Sequence, residues 1–352
     1  MKLSLFPMTK EQCAIVRYPE LLKGYTLAHL LVPDFFCLDG ANISQIDGGD
    51  TANLTITNYT EAILADCDVF FVDYDENMVE LSLYKEVIST AQSLGKEVIL
   101  SRKLCMSLGI SKTTENELIT NTYMPYQLYE ISVPVITVLT QGARTDQFAT
   151  ELALRKHFLD QGYKVSQIGS GEAGLFLGFA GVPNFMHEQY SVYDKTIMFN
   201  HYVKKLIDAE QPDLLILGVP DAIMKYNDKL LNGLGFMPFT ICSAVKADVS
   251  VLCMYYGEYY KLYFDEMEQH GLYRLDTPIE FFCLSNSVYT PEFGSGVVEI
   301  KFIDLDSQYV LDAMQNKIDA GKHHLFNALD NNSVKDACVA IEKSLVGNVH
   351  YV

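Results

Sequence analysis

The sequence predicts an α/β protein with two doubly wound domains, and three observations lead to this prediction. Short apolar runs alternate with longer amphipathic stretches, which is the pattern of β-α units around a mainly parallel sheet. The pattern lapses over residues 111–132, where Thr, Asn and Pro form a polar interval, and it resumes at Pro134. The chain has 352 residues, whereas one domain typically has roughly 100–200. We therefore expect a domain over residues 1–115, a linker over 116–132 and a second domain over 133–352.

The elements of the first domain follow from its apolar runs and breakers. Four buried-type runs predict strands, at residues 3–6, 26–32, 69–73 and 97–100. Amphipathic stretches at 61–66 and 78–94 predict helices, and Gly95 supplies the left-handed geometry that ends many helices.

The second domain repeats this alternation. Its apolar runs predict strands at residues 135–139, 164–168, 214–218, 248–254, 280–284 and 297–303, of which we expect the last two to close the sheet. Helices are predicted from the loop at 140–150 to about 161, and at 192–210, 257–269, 307–320 and 333–345. In open sheets of this kind, ligands bind beyond the carboxyl ends of the strands.

Charge restricts the classes of partner. The 26 Lys and Arg residues stand against 45 Asp and Glu residues, which gives a formal net charge of −19. Nucleic acids and anionic membrane surfaces would be repelled, so we expect neither as a partner. A basic or neutral partner is compatible with this composition, and nothing in the sequence excludes a homo-oligomer.

Cysteines and histidines indicate reduced thiols and no metal site. The eight cysteines are scattered singly without a C-x-x-C pair, and the apolar N-terminus is too short for a signal peptide, so we expect a cytoplasmic protein. The histidines lack the spacing of a zinc site. His323 and His324 are adjacent, and adjacent side chains do not converge on one helix face.

The most informative segment runs from Val133 to Thr150, where a strand, a loop and a helix start are arranged as in a phosphate-binding loop. Such loops hold phosphates with backbone N–H groups and a helix N-terminus, while a lysine reaches the terminal phosphates. Gly142, Arg144 and Thr145 preserve the scaffold. Asp146 and Gln147 replace the expected Gly-Lys pair, however, so we expect a degenerate nucleotide site.

The individual replacements explain this expectation. Asp146 would repel phosphates, and we expect its carboxylate to cap the free N–H groups of the following helix. Gln147 carries no charge, and Phe148 cannot ligate magnesium. We therefore expect no cofactor, with ATP or GTP and Mg²⁺ as the alternative.

Two further groups are candidates for binding a ligand or partner. Asp39 and Asp47 lie in a Gly-rich loop after a first-domain strand, where they either bind a polar ligand or form solvated turns. Tyr255 and Tyr259 belong to a run of five tyrosines at a predicted helix start, where they share one helical face with Tyr263. The run serves either core and interface packing or a surface that binds a peptide or partner. Asp73 and Asp75 follow a strand and could act as a base, a cation ligand or a helix cap.

Several segments resemble a peptide-maturation-system family that is encoded beside small bacteriocin-type precursor peptides in anaerobic bacteria. The segments that carry the resemblance are 133–169, 15–22, 38–49, 66–73 and 211–218. The resemblance implies a Rossmann-like N-terminal domain followed by a P-loop-NTPase-like domain of the dethiobiotin-synthetase type. It also implies a role beside a precursor peptide or a peptide-modifying enzyme.

The chain departs from this family at two positions of the nucleotide site. Family members carry Arg-Thr-Gly-Lys where this chain has Arg144-Thr145-Asp146-Gln147. They also place a carboxylate directly after Ile-Gly-Ser/Thr, where this chain has Gly171, with Glu172 displaced by one residue.

Three functional hypotheses follow. The first is an accessory protein in the maturation of a ribosomally made peptide, with a degenerate nucleotide site and a surface for a peptide or partner enzyme. The second is an ATP- or GTP-dependent ligase or kinase with an atypical loop. The third is a sensor that binds a small molecule in the first domain. The sequence assigns no catalytic residue.

Overall fold

A computed structural model describes residues 1–75, 80–110, 126–293 and 298–348. These residues form two compact units. The first contains residues 1–110 together with Gly171–Phe179, and the second contains residues 126–170 and 180–348. The first unit is therefore discontinuous in sequence. The segment Gly171–Phe179 had been predicted to lie in the second domain. Residues 116–125 of the predicted linker lie outside the described residues.

The first unit is built on a five-stranded parallel sheet with the strand order β3-β2-β1-β4-β5. The strands are β1 (Lys2–Phe6), β2 (Thr26–Val32), β3 (Ile56–Asn58), β4 (Val69–Val72) and β5 (Glu97–Leu100). The helices are α1 (Lys10–Arg17), α2 (Ser44–Asp47), α3 (Glu61–Ala65), α4 (Leu81–Ser93), α5 (Arg102–Leu108) and α7 (Gly174–Leu177). The order reverses between β1 and β4, which is the switch point where this class of sheet binds ligands.

Aromatic side chains fill the core of the first unit. Phe6 of β1 and Phe70 of β4 are fully buried and pack with Tyr84 of α4. On α4, Tyr84, Val87 and Ala91 recur every three to four residues, so one helix face covers the sheet. The predicted apolar runs therefore become the central strands.

The second unit is built on a seven-stranded parallel sheet with the order β14-β11-β10-β6-β9-β7-β8. Its strands are β6 (Val135–Thr140), β7 (Val165–Gly169), β8 (Ala180–Gly181), β9 (Leu214–Ala222), β10 (Val249–Met254), β11 (Phe281–Leu284) and β14 (His324–Phe326). Its helices are α6 (Gln147–Asp160), α8 (Val192–Glu210), α9 (Phe236–Ala244), α10 (Lys261–Leu275), α11 (Ser307–Asn316) and α12 (Asn331–Asn348). The chain winds from β6 to one side and then to the other, so the predicted doubly wound α/β fold is confirmed.

The predicted strand at 297–303 exists over residues 298–303, but the expectation that it closes the main sheet was wrong, and residue 297 lies outside the described residues. Residues 298–303 belong to β13 (Val298–Asp304), which pairs antiparallel with β12 (Ser287–Phe293) in a separate two-stranded sheet. The edge position beside β11 is taken instead by β14. Most residues of β12 and β13 are exposed or half-buried, as expected for a hairpin outside the main sheet.

A buried carboxylate joins α6 to the carboxyl edge of the sheet. Glu151 accepts hydrogen bonds from Gln167 Nε2 at 3.2 Å and from the Ser170 backbone N–H at 3.1 Å. Gly218 of β9 passes so close that a Cβ there would clash with the Glu151 carboxylate. Glycine at 218 therefore leaves room for the carboxylate.

Within the described residues, no helix combines the length and the apolar character needed to cross a membrane. All eight cysteines lie within the described residues as free thiols, and Cys37 is the exposed one.

Candidate functional site

The segment 141–146, called here the phosphate-loop segment, connects the carboxyl end of β6 to α6 and is closed by its own side chains. Thr140 Oγ1 lies 2.5 Å from Thr145 Oγ1 and accepts a hydrogen bond from the Gly142 N–H at 2.9 Å. Thr145 Oγ1 donates to the Gly142 carbonyl at 3.0 Å. Thr145 is buried, so its hydroxyl is used inside the turn.

Two side chains from other elements cover Gly142. Tyr255 Oη donates to the Ala143 carbonyl at 2.9 Å, and Asn232 Nδ2 donates to the Gln141 carbonyl at 2.7 Å. A Cβ on Gly142 would clash with both Tyr255 Oη and Asn232 Nδ2. Glycine is thus required here by side chains of the same chain, which occupy the space directly above the turn.

Gln147 points back into the sheet. Its Nε2 donates to the Val138 carbonyl of β6 and to the Val219 carbonyl of β9, both at 2.8 Å. The regular pairing of β6 with β9 is interrupted between Val138 and Thr140, so the two strands do not satisfy each other's backbone groups regularly there. The residue in the lysine position of a working phosphate loop therefore serves as a structural bridge.

The expectation that Asp146 caps α6 was wrong. Asp146 has left-handed backbone geometry, with φ 59°, and its side chain makes no cap hydrogen bond to the helix. Its Oδ2 instead accepts from Ser285 Oγ at 2.7 Å and from the Asn286 N–H at 3.2 Å. These donors follow β11 and draw the carboxylate away from the helix start.

Arg144, the remaining cation of the phosphate-loop segment, has an internal partner. Its Nη2 lies 2.5 Å from Asp304 Oδ2 at the end of β13, and its guanidinium lies 5.8 Å from the centre of the Phe302 ring. The side chain is about one quarter exposed. Engaging a phosphate would require Arg144 to leave a half-buried ion pair.

The tyrosine run does not form the predicted helical face, because α10 begins only at Lys261. Tyr255 follows β10 directly and is buried, and its ring packs on Tyr289 at 5.0 Å and on Phe302 at 6.1 Å. Burial raises the pKa of Tyr255 well above that of a free phenol. Tyr255 is therefore part of the core around the phosphate-loop segment.

Tyr259 lies nearer the surface, in a shallow groove at the start of α10 with a volume of about 310 Å³. The groove, called here the tyrosine groove, is lined by Glu258, Tyr259, Tyr260, Leu262, Tyr263 and Glu266. Tyr260 and Leu262 are each more than two-thirds exposed. These two side chains form a small exposed apolar area flanked by the carboxylates of Glu258 and Glu266.

The two aspartates of the Gly-rich loop have internal partners. Asp47 is buried and receives two hydrogen bonds from the Arg17 guanidinium, both of 2.7 Å. Asp39 Oδ1 accepts from the Asn58 N–H at 2.9 Å. The two carboxylates thus have different partners, and Asp47 also accepts from the Gly49 N–H at 3.0 Å, which stabilises the turn after α2.

Glu172 belongs to a group of charged residues in the first unit. It is held by Arg102, whose Nη2 lies 3.1 Å from Oε1, and its own N–H donates to Glu11 Oε1 at 3.3 Å. Asp73 follows β4 and interacts electrostatically with Glu11 and Lys103. We call Glu11, Asp73, Glu172 and Lys103 the carboxylate cluster.

The carboxylate cluster lies at the switch point of the five-stranded sheet. Burial and the neighbouring Asp73 raise the pKa of Glu11 to about 7. Burial also raises the pKa of Asp73, and the opposite charge of Glu11 raises that of Lys103. Asp73 and Glu172 were singled out from the sequence, but Glu11 and Lys103 were missed. The signal that could have found Lys103 is its position in the first turn of α5, three residues after the end of β5.

We expect Gln147→Met to destabilise the protein by about 2–4 kcal/mol. The variant keeps the side-chain length but leaves two buried carbonyls without their donor, at about 1–3 kcal/mol for each unsatisfied group. Urea unfolding at neutral pH measures the change. Gln161→Met, an exposed glutamine at the other end of α6, is the matched control and should change little. Equal stabilities of the two variants would contradict the bridging role.

We expect Glu11 to make the stability of the protein fall as pH rises from about 5 to 8. Its folded pKa of about 7 lies above the unfolded value of about 4.3, so the folded state binds more protons across this window. Relative to Glu11→Gln, the free energy of unfolding of the unmodified protein should fall by about 1–3 kcal/mol over this range. This figure allows for solvent screening of a partly exposed group. Urea unfolding at several pH values tests this. Glu97→Gln controls for the loss of an exposed carboxylate, and parallel pH profiles for the unmodified protein and Glu11→Gln would refute the assignment.

Comparison with known proteins shows the fold. No protein-family model and no curated protein matches this chain. Among solved structures, a DUF1611 family protein from Anabaena variabilis is similar, with a TM-score of 0.52 and 11% identity over 81% of this chain and 87% of that chain. A pseudomurein peptide ligase type C from Methanothermus fervidus gives a TM-score of 0.26 at 9% identity, over 71% of this chain and 37% of that one, which is too low to support a shared fold. The chain thus has two parallel-sheet α/β units, and its fold is similar to that of the DUF1611 family protein.

Proposed function

We propose that this chain is an accessory protein in the maturation of a ribosomally made peptide, and that it acts by binding a peptide rather than by hydrolysing a nucleotide. The observation that carries the proposal is the state of the phosphate-loop segment. Gln147 is bonded to two strand carbonyls, and Asp146 and Arg144 are each held by partners beyond β11. The groups that would meet phosphates are engaged within the protein.

The tyrosine groove is the surface that we assign to the peptide. Tyr260 and Leu262 offer exposed apolar area, while Glu258 and Glu266 place carboxylates at its margin. Lys317 Nζ lies 3.7 Å from Glu258 and partly neutralises it, which leaves Glu266 as the stronger attraction for a cation. With a net charge of −19, the protein favours a basic peptide that carries apolar side chains.

The maturation context rests on the resemblance of segments such as 133–169 and 211–218 to the peptide-maturation-system family. An accessory role requires a surface that binds the peptide, and it is compatible with a phosphate-loop segment that is closed. A ligase or kinase would instead need an accessible phosphate site, so nucleotide binding separates the two hypotheses.

We expect ATP-Mg and GTP-Mg to bind without saturation below about 1 mM. A missing charge-assisted hydrogen bond to phosphate costs about 1.5–3 kcal/mol, and the absence of the lysine together with the added carboxylate weakens binding by about two to four powers of ten. Titration calorimetry with the unmodified chain is the measurement. Micromolar affinity would favour the nucleotide-dependent enzyme instead.

The double variant Asp146→Gly/Gln147→Lys completes this test. Glycine tolerates the positive φ of position 146, and lysine restores the missing charge. We expect a gain in ATP-Mg affinity of about ten-fold or more, because one charge-assisted hydrogen bond is worth at least about 1.4 kcal/mol. A thermal unfolding curve checks that the variant is folded. A folded variant with no gain would show that these two residues are not what excludes the nucleotide.

We expect the tyrosine groove to bind a fluorescein-labelled 12-residue peptide of alternating lysine and phenylalanine, as measured by fluorescence anisotropy. Tyr260→Ala should weaken binding about three- to ten-fold, the effect of removing an aromatic side chain that contributes about 1 kcal/mol. Tyr273→Ala is the matched control, because Tyr273 is a similarly exposed tyrosine on α10 outside the groove.

A second probe, with serine in place of phenylalanine, separates groove binding from general attraction to an acidic protein. We expect it to bind more weakly and to show no difference between the two tyrosine variants. If both probes bind alike, or if Tyr260→Ala and Tyr273→Ala weaken binding equally, the groove is not the peptide site.

A further inference from the structure

We propose that the second unit binds one divalent transition-metal ion of the zinc class through His323, Asp265 and Glu268. These three residues are called here the histidine–carboxylate cluster, and their ligand atoms all lie within 4.8 Å of one another. The inference is independent of the peptide-binding role.

The placement of the three side chains follows from the fold. Asp265 and Glu268 are three residues apart on α10 and therefore share one face of the helix. His323 comes directly before β14, the edge strand of the sheet. Asp265 and His323, which are 58 positions apart, thus meet between α10 and the residue that precedes β14.

The imidazole is held in a fixed direction. The His323 side chain is only 3% exposed, and its ring packs edge-on against Phe282 at 5.3 Å and lies 6.3 Å from Phe264. The backbone N–H of His323 also donates to the Ala320 carbonyl at 3.1 Å. Fixed in this way, Nε2 faces both carboxylates, which is the preorganisation that a metal ligand needs.

The distances fit the edges of a tetrahedral metal site. His323 Nε2 lies 3.2 Å from Asp265 Oδ1 and 3.6 Å from Glu268 Oε2. Zinc bonds of about 2.0–2.2 Å to nitrogen and oxygen place neighbouring tetrahedral ligands about 3.3–3.5 Å apart. A charge-assisted hydrogen bond would be shorter, at about 2.7–2.9 Å. Both spacings thus match those of neighbouring ligands on one ion, and the shorter one is also within hydrogen-bond distance.

The ligand types select the class of metal. Imidazole with carboxylates suits Zn²⁺ and its first-row neighbours, whereas Mg²⁺ and Ca²⁺ prefer oxygen ligands alone. Three protein ligands leave a fourth position, and the partial exposure of Asp265 and Glu268 gives water access to it.

Lys322 competes for the same carboxylate. Its Nζ lies 3.0 Å from Glu268 Oε1 and 2.7 Å from Oε2, and the side chain is mostly exposed. A metal ion must take Oε2 from this ammonium group. Removing the Lys322 charge should therefore tighten metal binding, whereas a purely structural ion-pair cluster predicts no such gain.

The test uses the full chain after dialysis against EDTA. Zn²⁺ is titrated calorimetrically, and Co²⁺ is titrated by its visible absorption, which reports coordination geometry. We expect one saturable ion per chain, with little competition from Mg²⁺. His323→Ala should weaken Zn²⁺ binding by more than about ten-fold, since even the removal of groups that only support the ligands costs about 10–100-fold.

Three variants make the outcome decisive. His324→Ala is the matched control, because this exposed neighbour stacks on Phe281 and is expected to leave Zn²⁺ affinity unchanged. Asp265→Asn, on the helix surface, should weaken binding even if His323→Ala fails to fold. Lys322→Gln should tighten binding about two- to five-fold, the range of an exposed ion pair. Equal affinities of the His323 and His324 variants, or no gain with Lys322→Gln, would overturn the proposal.

Discussion

The carboxyl edge of the seven-stranded sheet depends on one side-chain amide. The register of β6 and β9 shifts near their carboxyl ends. There Gln147 donates a hydrogen bond to one buried carbonyl of each strand, so neither carbonyl lacks a donor. Buried carbonyls without a donor are rare in proteins because water is not available to replace it. This requirement fixes the first residue of α6, and with it the path of the phosphate-loop segment. A side chain committed to the sheet in this way cannot extend toward a ligand.

The same constraint explains how the surrounding charges are arranged. With α6 fixed, Asp146 turns toward Ser285, and Arg144 reaches Asp304 at the end of β13. The β12–β13 hairpin thus supplies an acceptor for the loop cation and, through Phe302, part of the aromatic packing around Tyr255. In the first unit, Arg17 and Asp47 form a comparable buried pair beneath the Gly-rich loop. The charges of the phosphate-loop segment and of the Gly-rich loop that look available in the sequence are thus engaged within their own unit.

Local patterns predicted the central strands and the strand–loop–helix at β6, because buried parallel strands are continuous apolar runs and their loops follow directly. The partners of those elements were harder to predict. The sequence of residues 298–303 favours a strand in any sheet, and only the long-range fold assigns these residues to a hairpin. The tyrosines from 255 to 263 have helical spacing, yet Tyr255 is fixed by its N–H bond to Gln141 before the helix begins. Glu11 and Glu172, or Asp265 and His323, meet across many intervening residues, and no local spacing reports such contacts.

The detour of residues 171–179 into the first unit has a consequence for biosynthesis. Phe176 is fully buried and packs on Phe71 at 5.2 Å and on Tyr25 at 5.1 Å, so it completes an apolar face that the first 110 residues leave open. A ribosome makes the chain from its N-terminus, and domains usually fold as units while they emerge. Here the first unit cannot finish folding until residue 179 has left the exit tunnel, when β6, α6 and β7 have already been synthesised. All five strands of the first sheet have been made by Leu100, but the first unit gains α7 only while the second unit is being synthesised. The order of translation therefore does not fully separate the folding of the two units.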